Sequence, residues 1–162
     1  MNKQEILNEI KKTEEHLANM EKMLEECEQG RWKPKDGDIF YYIDTYCRVI
    51  KEQWADIPAD KIHYKKDNFF KTREQAETEV EKILVRRQLE NIARRLNKGQ
   101  RIDWYNNSQA KLCIELYCDE IITNFYLAHK TQGTVYCLNE KFKDIAIQEI
   151  GEERLKAYLR GE

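Results

Sequence analysis

The residues with the clearest capacity for chemistry are cations gathered on one stretch. Arg87, Asn91, Arg94, Arg95 and Lys98 fall on one face of a helix read over residues 72–97, opposite Val85, Leu89, Ile92 and Leu96. Arg86 and Arg101 lie close by. Each guanidinium offers a rigid fork of donors, so a stripe of them fits phosphates or an acidic protein groove. The same stripe is also the ordinary solvated face of an amphipathic helix. Trp104-Tyr105-Asn106-Asn107-Ser108-Gln109 follows Arg101 as a polar loop with two aromatics. An aromatic beside a cation can stack on a base, whereas a Trp entering a strand is commonly a core anchor. Arg87, Asn91, Arg94, Arg95, Lys98, Arg101 and Trp104 are therefore the candidate partner- or phosphate-binding set.

Other chemistries find little support. His16, His63 and His129 have no metal ligand at a useful spacing, and Cys113 and Cys118 are placed by strand alternation on opposite faces. No GxSxG, P-loop or GxGxxG occurs, and the abundant Glu residues sit on helices as solvated charge. The expectation is a protein with no catalytic residues, no metal and no cofactor.

The 28 basic and 30 acidic side chains nearly cancel, which argues against gross affinity for nucleic acid or membrane. Their distribution is uneven. Residues 1–30 hold 4 basic and 8 acidic side chains, whereas residues 71–101 hold 9 basic and 5 acidic. The five cysteines, Cys27, Cys47, Cys113, Cys118 and Cys137, include no CxxC pair, and no apolar run approaches a membrane span. A cytoplasmic chain with free, mostly buried thiols is expected.

The elements that must position these residues can be read in order. Residues 3–28 form a long helix in which Ile6, Ile10, Thr13, Leu17, Met20, Leu24 and Cys27 make a 4-3 seam. Ile6, Ile10, Leu17, Met20 and Leu24 are the association residues if two copies pair as a coiled-coil homodimer; equally, the seam can pack on its own domain. Ile39–Ile43 and Cys47–Trp54 are strands of a hairpin turning at Asp44-Thr45-Tyr46, Ala55 to Asp60 is loop, and Lys61–Tyr64 adds a short strand. Thr72 and Gln75 make a capping box at the start of the central helix. Within that helix Ala76, Val80, Ile83 and Leu84 cluster on one side. The stripe Val85, Leu89, Ile92 and Leu96 points roughly 160° away, so the helix buries two faces in succession or kinks near Leu84. A second hairpin over Leu112–Tyr117 and Ile121–Tyr126 turns at Cys118-Asp119-Glu120. Thr134–Cys137 is a further strand, Asn139 an N-cap, and Phe142–Ile150 and Leu155–Leu159 helices separated by Gly151. Sliding the chain by 67 places Thr72 on Asn139 and Phe70 on Cys137, a weak internal duplication. The fold expected is α+β: two ββ(β)α units with antiparallel sheet, a long central helix and a long N-terminal helix. The N-terminal helix takes residues 1–30, the first unit 31–98 and the second 99–162, the two units packing as one domain.

Trp32-x-Pro-x-x-Gly-Asp before an aromatic strand, Asn68-x-Phe-x-Thr before a Glu/Ala-rich helix, Ile102-Asp103-Trp104, and Ile150-Gly151-Glu152-Glu153-Arg154 resemble a family of small proteins encoded by phages and prophages of Gram-positive bacteria. The resemblance covers most of residues 31–159 and rests on aromatic and turn positions. Where that family has Gly-Asn, this chain has Asp67-Asn68. No activity and no catalytic residue carries over. The resemblance implies a phage context, in which small accessory proteins bind and block host defence machinery. The expected partner is therefore a host defence protein, a CRISPR nuclease being the leading version, with inhibition by protein–protein contact in the host cytoplasm. The competing class is a nucleotide- or nucleic-acid-binding module without catalysis, built on Arg94, Arg95, Arg101 and Trp104.

Overall fold

Two short hairpins and one long helix carry the architecture, seen in a computed structural model that describes Lys12, Thr13, Leu17 and residues 32–162. The expected helix over 3–28 and its seam, Thr13 and Leu17 apart, lie outside the described residues. Among the described residues the fold is α+β, with four helices and two antiparallel two-stranded sheets.

β1 (Ile39–Ile43) and β2 (Val49–Gln53) pair with Tyr41 opposite Lys51. The turn is wider than expected because Asp44 organises it. Its Oδ1 accepts the amides of Tyr46 and Arg48 at 2.9 and 2.8 Å, and Cys47 takes a left-handed φ of 59°. Cys47 and Arg48 therefore belong to the turn and not to the strand. Those bonds, the Arg48 amide first, hold the Asp44 carboxyl below its ordinary range.

The expected strand over Lys61–Tyr64 is instead part of α1 (Pro58–Lys65), and Pro58 to Asp60 are its first turn, not loop. Pro58 opens the helix where its missing N–H costs nothing. Asp60 is buried, and its Oδ2 accepts the amides of Ala55 and Ile57 at 2.9 and 3.2 Å. The helix then presents His63 and Tyr64 to the aromatic side chains of the hairpin. His63 stacks on Tyr42 with centroids 4.1 Å apart, and Tyr64 meets Trp54 and Phe69 edge-on. Phe40, Trp54, Phe69 and Trp32 complete this aromatic core. Trp54 is buried in it and Trp32 lies at its rim.

The chain leaves α1 through Asp67, whose φ of 55° is one that glycine adopts without strain. Asn68 follows and imitates a strand partner, accepting Ile43 N at 2.8 Å and donating to Ile43 O at 2.7 Å. Phe70 then exchanges two backbone bonds with Tyr41, at 2.9 and 2.8 Å.

α2 (Arg73–Asn97) begins at the capping box read from the sequence. Thr72 Oγ1 accepts Gln75 N, and Gln75 Oε1 accepts Thr72 N, both at 3.3 Å. It runs through Leu84 as one helix of 25 residues and buries two faces in succession. Ala76 is buried, with Val80, Ile83 and Leu84 half-buried toward the first hairpin, whereas Val85, Leu89, Ile92 and Ala93 are buried in a second, aliphatic core.

That core is completed by β3 (Lys111–Tyr117), β4 (Glu120–Tyr126), α3 (Phe142–Ile150) and α4 (Glu152–Arg160). Ile114 and Ile121 come from the hairpin, Phe142, Ala146 and Ile150 from α3, and Leu155 from α4. The hairpin turn is two residues, Cys118 and Asp119, both left-handed at φ 48° and 66°, as a tight hairpin requires. Glu120 is thus a strand residue. The expected strand over Thr134–Cys137 shrinks to one bridge, in which Cys137 and Leu112 exchange backbone bonds of 2.8 Å. Asn139 orders the turn before α3, accepting Lys141 N at Oδ1, while Lys141 stands at the cap position. Ion pairs fasten α4 down: Arg154 grips Glu81 of α2, and Arg160 reaches Asp119 in the hairpin turn.

Candidate functional site

The seven candidate residues do not form one site. Arg87 turns toward the first hairpin, where Nη1 donates to Cys47 Sγ at 3.0 Å. Arg95 forms an ion pair with Glu149 of α3. Both cations are spent on holding α2 against its neighbours. Asn91 accepts from Arg94 Nη1 at 3.0 Å and lines a shallow depression with Arg95 and Glu149. Lys98 takes the left-handed position that ends α2, at φ 47°, and Arg101 is exposed in the following loop.

Arg94 and Trp104 do come together. They line a cleft of about 510 Å³ between α2 and the segment Lys130–Tyr136. One edge of α2 supplies Arg86, Glu90, Ala93, Arg94 and Asn97, residues at helical spacing that share a face. The opposite wall is Lys130, Gln132, Gly133, Thr134, Val135 and Tyr136, with Ile102 and Trp104 at the end. A second cavity of about 350 Å³ shares Arg86 and Gly133–Val135 with the first, and adds Leu89, Ile114, Phe142, Tyr158 and Leu159. The concavity thus passes from a cationic, aromatic end to an apolar one. Burial pushes the Tyr158 hydroxyl above its ordinary pKa, so it stays a neutral donor there.

Charge within the cleft is only partly compensated. Arg86 pairs with Glu90 at 3.1 Å. Among the described residues no carboxylate forms a salt bridge with Arg94 or Lys130.

The position of Trp104 is set by a residue that sequence reading passed over. Lys111 opens β3 yet is fully buried. Its Nζ donates to Asn106 O and Leu127 O, both at 2.7 Å, and lies 5.6 Å from the centre of the Trp104 ring. Two carbonyls and one aromatic face thus replace the water an ammonium loses on burial. Tyr136 meets the same indole edge-on, with centroids 4.9 Å apart at 82°. Its hydroxyl accepts Thr131 N at 2.9 Å, which ties down the far wall. Asn97 is fixed as well, its Oδ1 accepting Leu138 N at 2.8 Å.

Neighbouring polar groups are structural. Glu115 accepts from Asn124 Nδ2 and Tyr126 Oη, both at 2.9 Å, and these bonds, Asn124 first, keep its carboxyl below the usual range. Cys113 beside it is pushed up to about 12 by burial, the opposite of an activated nucleophile. Among the described residues no group of three His, Cys, Asp or Glu could hold a metal ion, and no helix is long and apolar enough to cross a membrane.

Lys130 and Tyr136 were missed because they join Arg94 only through the return of the chain after β4, and Glu90 was missed although it stands one helical turn from Arg94. The residue types alone gave one hint, that Arg86, Glu90 and Arg94 repeat at four-residue spacing. Comparison with family models, with curated proteins and with solved structures found no match for this chain.

Proposed function

We propose that this chain is a non-catalytic binding protein of the phage accessory kind, which blocks a host defence component by docking on it in the bacterial cytoplasm. A CRISPR nuclease is the leading partner. One observation supports the reading. Ion pairs engage Arg48, Arg73, Arg86, Arg95, Arg154 and Arg160, and Arg87 bonds Cys47, whereas Arg94, Lys98, Arg101 and Lys130 form no salt bridge among the described residues. They gather around the C-terminal end of α2 and the loops near it. The helix dipole favours cations there, and that accounts for Arg94 but not for Arg101 or Lys130. An acidic protein surface is the complementary partner.

The reading carries two architectural proposals. Each hairpin with its bridging residue, Phe70 or Cys137, and the helix that follows is one ββ(β)α unit of a duplication. The 4-3 seam read from the sequence, Ile6, Ile10, Leu17, Met20 and Leu24, is proposed to serve either its own domain or a second copy of the chain.

Capture from lysate of a bacterium carrying the defence system tests the docking. A single stoichiometric protein partner is expected, lost when Lys98→Glu and Arg101→Glu are combined, since both lie outside the cleft. Retention unaffected by that double change, or turnover of a substrate, would overturn the proposal.

A further inference from the structure

We infer that the cleft between α2 and Lys130–Tyr136 binds a nucleotide, a phosphate joined through a sugar to a flat ring, either free or as one unit of a single strand. The docking proposal counts Arg94 and Lys130 among its cations but is tested on the open surface at Lys98 and Arg101, so the two can fail separately. The cleft has the size of a small-molecule site, and its groups divide into three kinds that match the three parts of such a ligand.

Arg94 and Lys130 are the anion end. Neither forms a salt bridge among the described residues, so a phosphate would meet two cations whose charge is not already spent, one of them a planar fork.

Trp104 is the ring platform. The Lys111 ammonium lies near one side of the indole, and Tyr136 meets it edge-on. A cation on one face draws electron density toward itself. The indole is then a poorer partner for a second cation and a better one for a neutral, flat ring. This argues against a lysine or arginine side chain of a partner as the occupant.

Glu90 is the part a bare phosphate would not explain. The residue lines the cleft, and its carboxylate, held by Arg86 at 3.1 Å, repels an anion placed next to it. It is instead an acceptor for a sugar hydroxyl or an exocyclic amine, the neutral donors that a nucleotide carries between and beyond its anion and its ring.

Titration of the full chain with adenosine monophosphate, adenosine, inorganic phosphate and a ten-residue oligothymidylate, followed by calorimetry, tests this. Binding of the mononucleotide, tighter than that of adenosine or phosphate alone, is expected. Arg94→Gln and Lys130→Gln should each weaken it by about tenfold, with Lys51→Gln, at an exposed position of the first hairpin, as an unaffected control. Trp104→Leu should reduce the mononucleotide to the level of inorganic phosphate. Because that variant disturbs Lys111, the exposed Arg94→Gln and Lys130→Gln changes decide the matter if it misfolds. Binding of the oligonucleotide alone, with the same dependence on Arg94 and Lys130, supports the site in its single-strand form. No binding of any probe at millimolar concentration, or binding indifferent to Arg94→Gln and Lys130→Gln, overturns the inference. The docking proposal survives that result, since its own test leaves both residues in place.

Discussion

Replacing Lys111 with Met tests whether the buried ammonium contributes net stability or is a tolerated burden. Met keeps much of the length and removes the charge. In the folded chain the change deletes two bonds of 2.7 Å, to Asn106 O and Leu127 O, and one approach to the Trp104 ring. A hydrogen bond from a charged donor contributes about 1.5–3 kcal/mol, and a buried carbonyl left unpaired costs about 1–3 kcal/mol. Two terms act in the other direction. Asn106 and Leu127 are exposed residues, so water can replace part of the loss, and Met no longer has an ammonium to desolvate. The net expectation is a loss of about 2–4 kcal/mol. At roughly 2–4 °C per kcal/mol for a chain of this size, the melting temperature should fall by about 5–15 °C. Urea unfolding followed by far-ultraviolet circular dichroism gives the midpoint, and an unchanged slope would show that both proteins unfold from the same compactness. Lys130→Met, at an exposed cation, should stay within about 0.5 kcal/mol of the parent. A Lys111→Met chain as stable as the parent, or more so, would refute the reasoning. The carbonyl cage would then do no more than offset its own desolvation.

Four further outcomes are expected. Leu89→Ala, at a side chain only 3% exposed in the aliphatic core, should lose about 2–5 kcal/mol in the same urea assay. A loss under about 1 kcal/mol would mean that the second face of α2 is not a core face. Asp119, held below its ordinary pKa first by the Arg160 hydrogen bond, should favour the folded state above pH ~4 and lose that contribution as pH falls through its lowered pKa. Asp119→Asn should remove this part of the acid sensitivity. Cys118 is exposed whereas Cys113 and Cys137 are buried, so a thiol reagent at pH 8 with peptide mapping should label Cys118 first and the buried pair only after unfolding. Because Cys113 rises to about 12 when folded, against about 8.5 unfolded, its contribution is full below pH ~8.5 and disappears as pH rises toward 12.

What could be read from the sequence was what lies within one or two turns of chain. Thr72 and Gln75 sit three residues apart, and their reciprocal bonds need no other element. The opposed stripes of α2 also follow from spacing alone. The short strand over Lys61–Tyr64 failed because Ile62, His63 and Tyr64 have β-forming side chains, while the helix is started by Pro58 and by Asp60 reaching back to Ala55 and Ile57. Both start signals are in the sequence, but between Ala55 and Asp60 Pro58 reads equally well as part of a loop. The cleft was out of reach for another reason. Its two walls, α2 up to Asn97 and the segment from Lys130, are 33 or more residues apart in the chain, and a lysine opening a strand gives no sign that carbonyls from positions 106 and 127 will enclose it.

The division of the stripe follows from the way α2 serves two cores at once. An isolated two-stranded hairpin has little stability in water, so each hairpin here depends on a helix to cover its apolar side. The first hairpin packs on the N-terminal half of α2, whereas the second is covered by α3 and α4, which themselves pack on α2. A helix flanked in this way has polar positions of two kinds. Those facing a neighbouring element become fasteners, as Arg87 does at Cys47 and Arg95 at Glu149. Those facing a gap between elements pair along the helix, as Arg86 does with Glu90, or form no salt bridge among the described residues, as with Arg94. Arg86, Glu90 and Arg94 face the gap that opens where Lys130–Thr134 crosses back toward Cys137, and a single bridge at Leu112 fixes how closely that segment can approach. The cleft is therefore a product of topology. The chain must return to β3 before it can start α3, and the span it crosses is wider than side chains from either wall can fill.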